Sequence, residues 1–342
     1  FRRLKPDRLI GREPSFVYCS GAEAAQARDR HLLVQDIFMT LQSILALTDF
    51  SSHAEHGLER AARIASSHQA RLVLMYSAEE PNAKLVDPIS RLAQRARQLG
   101  RRYNIHVEAL TRSGNVPADV VAQANRADLL VLDHRRPRHW SKFWRNTVLD
   151  HLLLRSRCPV LVVKTAPEQP YKRVLVSVNF STSAQALVRY ANRFEATAEL
   201  ELFHTVAGYS TSRLRLADVS TGAIAAYEQA THLHATQRML KLTDSFDTRR
   251  NRVMSVVGHG DPARQAVVQQ EATNADLIVV GKRPHAPWLD LLFESIAQRL
   301  LRWASSDILV VPHGYSTSAR TAALKSTVSQ PQEQAGRWQG IA

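Results

Sequence analysis

The sequence predicts an α/β protein built from two doubly wound parallel sheets in tandem, each with helices on both faces. Three observations lead there. Short apolar, β-branched runs alternate with segments of helical spacing, the pattern of strands buried between two helical layers. The ordered set of segments then occurs a second time. Between the copies lies only a short stretch, residues 165–171, marked by Pro167 and Pro170.

A chain of 342 residues accommodates about two domains, each with its own core. Hydrophobic residues make up 44% and charged residues 22%, which excludes a disordered or fibrous class. No apolar run approaches the roughly 20 residues of a membrane-spanning helix. The basic opening, Phe1-Arg2-Arg3-Leu4-Lys5-Pro6, leads into no secretory core, so a cytoplasmic location is expected. A first residue of Phe rather than Met points to a truncated or processed product. Two cysteines exclude a disulfide framework and a four-thiolate metal site. Cys158 opens an apolar strand and is expected to act as a small core residue. The net charge of +14 favours anionic partners, nucleic acid among them, and charge dispersed over tails and solvated helix faces is the preferred reading of it.

Residues 1–38 scatter Gly11, Pro14 and Gly21 among charges and read as a flexible arm. The first domain, 39–165, opens with a strand at 43–48 that ends in Asp49-Phe50-Ser51-Ser52, where a serine can cap the next helix. That helix carries Ala54, Leu58, Ala61, Ala62 and Ala65 on one stripe. A strand at 71–76, a basic helix over 89–103, a strand at 105–111 and the turn Gly114-Asn115-Val116-Pro117 follow. A short helix, the strand 128–132, a basic loop from Asp133 to Arg138, an amphipathic segment near 143–154 and the strand 158–163 complete the copy.

The second domain, 171–313, repeats this order. Its first strand ends in Val178-Asn179-Phe180-Ser181, and Gly258-His259-Gly260-Asp261-Pro262 stands for the earlier turn. The offset between copies is 179 − 49 = 130 at the start and 276 − 128 = 148 later, so about 18 residues are added midway. That addition falls near 208–222, a Ser/Thr/Gly-rich loop, followed by a helix over 227–246. Residues 314–342 read as a disordered tail.

On these residues the chain resembles a tandem member of the universal stress protein (UspA, UspE-like) superfamily. The resemblance rests on Thr48-Asp49-Phe50-Ser51 and Val178-Asn179-Phe180-Ser181, on the Gly/Pro turns, and on the closing strands at 157–163 and 306–311. It implies a five-stranded parallel sheet per copy, the adenine nucleotide alpha hydrolase-like fold. It also implies pairing through the last strand, so that one chain forms an intramolecular pseudo-dimer. Many members bind ATP through a G-x-x-G, nine residues, G-[S/T] pattern after the fourth strand, whose glycines admit phosphate to backbone N–H groups at a helix start. An acidic residue after the first strand contacts the nucleoside.

Carried over, the first copy places Asp133, Arg136, Asn146 and Thr147 in that pattern, replacing all three glycines and keeping Asp49 and Thr147. The second copy places Gly281, Pro284, Glu294 and Ser295 there, with Lys282 and Arg283 beside them and Asn179 for the acid. Pro284 removes an N–H donor and Glu294 repels phosphate. Candidate ligand residues are therefore Gly281, Lys282, Arg283, Ser295 and Asn179, and secondarily Asp49 and Thr147.

Elsewhere, Arg135–Arg138 with Trp140 and Trp144, and Lys282-Arg283 with Trp288, combine cations and aromatics as single-strand binders do. Core or seam packing of the tryptophans is the competing reading. His53 and His56 lie one turn apart without further metal ligands, and no Gly-x-Ser-x-Gly elbow is present. The expectation is a non-enzymatic stress-response protein with no cofactor, no catalytic residues and no metal, acting through a protein partner or an anionic small molecule. An ATP- or AMP-binding regulator with one site in the second copy is the alternative. A basic nucleic-acid-associated protein is the third reading.

Overall fold

The computed structural model describes residues 41–78, 87–111, 117–133, 148–207, 214, 216–244, 253–282 and 295–315. In the first half, β1 (Ser43–Thr48), β2 (Arg71–Tyr76), β3 (Val107–Ala109), β4 (Leu129–Asp133) and β5 (Val160–Val163) alternate with α1 (Ser52–His68), α2 (Pro88–Tyr103), α3 (Pro117–Ala124) and α4 (Val148–Arg155). The second half has β6 (Arg173–Ser177), β7 (Glu199–Ala207), β8 (Val253–Gly260), β9 (Leu277–Gly281) and β10 (Asp307–Val311). Its helices are α5 (Ala184–Phe194), α6 (Thr221–Asp244), α7 (Pro262–Thr273) and α8 (Ile296–Trp303).

The ten strands form one sheet in the order β3-β2-β1-β4-β5-β10-β9-β6-β7-β8. All pairings are parallel except the central β5–β10 pair, which joins the halves antiparallel. There Leu161 faces Leu309, and 309 − 161 = 148 equals the later sequence offset between the copies. Corresponding residues therefore meet each other, which places a pseudo-twofold axis between them. The intramolecular pseudo-dimer implied by the family resemblance is the observed arrangement.

Strand alternation sends side chains to two cores. Ile44 and Ala46 pack with Leu58 of α1, Leu92 of α2, Val188 of α5 and Met239 of α6. Leu45 and Leu47 pack with Val120 of α3, Leu152 of α4, Ala266 of α7 and Leu300 of α8 on the opposite face. Each core crosses both halves. Cys158 is fully buried in the second as expected, although it precedes β5, which begins at Val160 rather than at the anticipated 158.

Three expectations need correction. The helix anticipated over 227–246 runs over Thr221–Asp244 and so begins inside the expected loop near 208–222. The strand anticipated over 105–111 is confined to Val107–Ala109, its pairing with β2 ending after three residues. Gly258 and Gly260, anticipated in a turn, lie inside β8, because β7 continues to Ala207 and pairs β8 over eight residues. The turn is made by Asp261 and Pro262, with Asp261 capping α7 at the Arg264 N–H (2.9 Å).

The seam carries a buried polar cluster. Asp307, at the start of β10, is fully buried and lies 3.4 Å from Nε of Arg60, itself 5% exposed, on α1 of the other half. Its Oδ1 accepts from the Lys164 N–H (2.8 Å), the Thr165 N–H (3.0 Å) and the Thr165 hydroxyl (3.0 Å). Its Oδ2 accepts from the Tyr171 hydroxyl (2.7 Å). The Arg60 guanidinium stacks 4.1 Å from the Tyr171 ring centroid and donates to the Gln169 carbonyl (2.8 Å). The short connection between copies is thus fastened to both of them.

Candidate functional site

In an open α/β sheet a ligand binds outside the carboxyl ends of the strands, where strand order reverses. Here those points lie between β1 and β4 in the first half and between β6 and β9 in the second. Asp49 and Asp133 frame the first; Asn179 and Gly281 frame the second.

At the first point the chain leaving β1 satisfies its own backbone. Thr48 Oγ1 accepts from the Phe50 N–H (3.0 Å), Asp49 Oδ1 from the Ser51 N–H (2.9 Å), and Ser51 Oγ from the Ala54 N–H (3.1 Å), which caps α1. This bend holds Phe50 at φ 63°, a left-handed conformation uncommon for a bulky residue. Its ring stacks on Tyr76 at 5.6 Å, and the Arg91 guanidinium lies 4.8 Å from its centroid. Asp133 is 5% exposed, and α1 approaches it at Gly57, where an added Cβ would stand 3.5 Å from the Asp133 nitrogen.

The second point repeats the aromatic arrangement. Phe180 packs 4.0 Å from His204, and Arg238 lies 4.5 Å from the Phe180 ring while donating to the Phe180 carbonyl (2.8 Å). His204 donates from Nδ1 to the Val178 carbonyl (2.9 Å). Burial, only partly offset by that bond, holds its pKa below the usual histidine value, and Arg238 adds to the effect. Asn179 Oδ1 accepts from the Ser181 hydroxyl (2.7 Å), followed by a Ser181–Ser183 contact (3.0 Å) and a Ser183–His313 Nδ1 contact (2.9 Å).

Of the residues read as phosphate ligands, Lys282 and Ser295 lie beside the seam. The Lys282 N–H donates to the Val311 carbonyl (2.7 Å), and its ammonium donates to the Leu154 carbonyl near the end of α4 in the other half. A cation there also complements the helix dipole. Ser295 caps α8 in a reciprocal box: its Oγ accepts from the Gln298 N–H (3.2 Å), and its N–H donates to Gln298 Oε1 (2.9 Å). Gln298 then donates to Asp150 of α4 (2.7 Å). Gly281 has no left-handed φ, and an added Cβ would meet Leu187 at 3.5 Å, an ordinary contact. Thr147, Arg283, Arg136, Asn146, Pro284 and Glu294 lie outside the described residues, as do Trp140, Trp144 and Trp288.

Sequence reasoning missed the Phe–aromatic–Arg stacks and the Asp307 cluster. The signal for the first was present, since Phe50 and Phe180 recur at equivalent strand ends. Among the described residues no group of three or more His, Cys, Asp or Glu could hold a metal, and no helix is long and apolar enough to cross a membrane.

Fold and site together define a tandem α/β protein with two related points of strand-order reversal and an antiparallel seam. Residues 40–164 and 170–312 each match the model of the universal stress protein family, and the chain belongs to that family. Among solved structures, a universal stress protein from Archaeoglobus fulgidus DSM 4304 is similar at 18% identity and a TM-score of 0.57, over 80% of this chain and 96% of that one. A putative universal stress protein from Pseudomonas aeruginosa UCBPP-PA14 matches at 19% identity and 0.53, over 85% and 98%. A functionally unknown protein from Pseudomonas aeruginosa PAO1 matches at 19% and 0.54, over 85% and 98%. At such identities the likeness concerns the fold. No curated protein matches the chain.

Proposed function

We propose that this member of the family is a non-catalytic, cytoplasmic stress-response protein whose crevices no longer take a nucleotide and whose activity lies in contacts with a protein or anionic partner. The observation that carries the reading is the engagement of the two ligand-type side chains kept in the second copy. Lys282 donates to a carbonyl near the end of α4, and Ser295 is held in a capping box. Recruiting Lys282 for phosphate would cost the seam a contact, and recruiting the Ser295 N–H would open the α8 capping box. Asp49, the acid kept in the first copy, accepts from the Ser51 N–H through Oδ1. The aromatic–arginine stacks add to this by filling both strand ends with the protein's own rings.

Isothermal titration calorimetry of the full chain with ATP, ADP and AMP tests the proposal. No saturable heat is expected. A micromolar site in the native protein that disappears in the Lys282→Ala/Ser295→Ala variant, with the fold retained by circular dichroism, overturns it in favour of a nucleotide-binding regulator.

A further inference from the structure

Helix α2 carries five arginines, Arg91, Arg95, Arg97, Arg101 and Arg102, and no acidic residue. Its apolar stripe, Leu92, Ala96 and Leu99, is spent on the core. The polar arc divides into two flanks. On the flank toward α1, Arg95 pairs with Glu55 (2.5 Å) and Arg102 with Glu59 (2.7 Å). On the other, Arg97 and Arg101 stand one turn apart, both exposed, and neither enters a hydrogen bond or ion pair among the described residues. Side chains four apart have Cβ atoms about 5–6 Å apart, so their guanidinium groups form one cationic edge. Gln94 and Gln98 lie between the flanks and offer neutral hydrogen-bonding groups.

The internal repeat supplies a control. Helix α6 holds the corresponding place over β7 and β8 in the second half, yet it balances Arg238 and Lys241 against Glu228 and Asp244. The fold therefore does not require a basic helix here.

The geometry points to α2 as a docking surface for the phosphate backbone of a double-stranded nucleic acid, bound without base readout. Arginine forks match phosphate oxygens in paired hydrogen bonds, which lysine does not do. The exposed arc offers no aromatic ring for stacking, which argues against single strands. A membrane-surface helix would need its apolar face outward, and that face is buried. The net charge of +14 supplies long-range attraction to a polyanion. The Arg97–Arg101 edge does not include Arg91, the α2 residue that stacks on Phe50 at the first strand end, so its test is independent of nucleotide binding.

The experiment is fluorescence anisotropy of the full chain with a labelled mixed-sequence duplex of about 20 base pairs, from about 50 to about 200 mM salt. Two variants that each remove two positive charges are compared, Arg97→Gln/Arg101→Gln and Lys172→Gln/Lys241→Gln. Each backbone contact contributes about 0.9 to the salt slope, or about 3.5-fold over this fourfold range. The arginine pair should therefore reduce the salt-induced loss of affinity by about twelvefold, while the lysine pair leaves it near native. Absent duplex binding at low salt, equal effects of both pairs, an unaltered slope in the arginine variant, or tighter binding to phosphatidylserine vesicles than to duplex overturns the assignment.

Discussion

Replacing Asp307 by Ala should be among the most damaging single changes in the chain. The carboxylate is fully buried and receives four hydrogen bonds, from Lys164, Thr165 twice and Tyr171, with Arg60 3.4 Å away. Removing it leaves the Arg60 guanidinium, 5% exposed, as a buried charge without its counter-ion. Breaking one side of such a pair costs about 3–5 kcal/mol. The orphaned N–H and hydroxyl donors push the value toward the upper end, at about 1–3 kcal/mol for each that water fails to reach. Arg60→Met should cost less, because the remaining carboxylate keeps all four donors. The double variant should fall short of the sum by about 0.5–3 kcal/mol, the range for residues in one network. Urea denaturation followed by circular dichroism, read as midpoint times slope, provides the numbers. A loss below about 1 kcal/mol for Asp307→Ala, or strict additivity with Arg60→Met, would refute the claim that this cluster fastens the halves.

Other expectations follow from single contacts. His68 donates from Nε2 to the Phe194 carbonyl across the seam (3.1 Å), and burial outweighs that bond to keep its pKa below 6.5. The unfolded chain therefore takes up this proton first. The contribution is complete above about pH 6.5 and is lost as pH falls through the lower folded value, so His68→Gln should flatten the stability profile on the acid side. Ser295→Ala removes the α8 cap and should cost about 1 kcal/mol in the same urea assay, with no change meaning that the box carries no energy. Gly258→Ala puts a Cβ 2.8 Å from the Phe203 ring and should cost about 1–3 kcal/mol; Phe203→Leu in that background should recover part of it if overpacking is the cause.

Most of the architecture was legible because it is written locally. Apolar runs such as Leu129–Asp133 and Leu277–Gly281 announce buried parallel strands, and Asp128 and Asp276 recur in front of them. Both aspartates accept from backbone N–H groups at the start of the neighbouring first strand, Gln42 and Ser43 in one copy, Lys172 and Arg173 in the other. The repeated residue thus marks a repeated contact. Strand lengths were read less well. An edge such as β3 or β8 ends where its neighbour stops pairing, and no residue within the strand records that.

The candidate site resisted reading for a different reason. Lys282 and Ser295 occupy phosphate-type positions by spacing, but spacing does not reveal which acceptor a flexible ammonium finds. Its acceptor, Leu154, lies 128 residues away and becomes a neighbour only because β5 and β10 join the halves antiparallel. The same junction brings Arg60 to Asp307, a pair that in sequence is one helix cation and one strand-opening acid. In a single-domain relative paired through the same strand, both contacts would be made twice between identical chains. Fusion in tandem frees each copy to diverge alone, and this chain uses that freedom in its arginine content: five on α2, one on the corresponding α6. Identical subunits would carry such a basic face on both sides of the axis. This chain carries it on one, so a polyanion docked there would engage the molecule with a defined polarity.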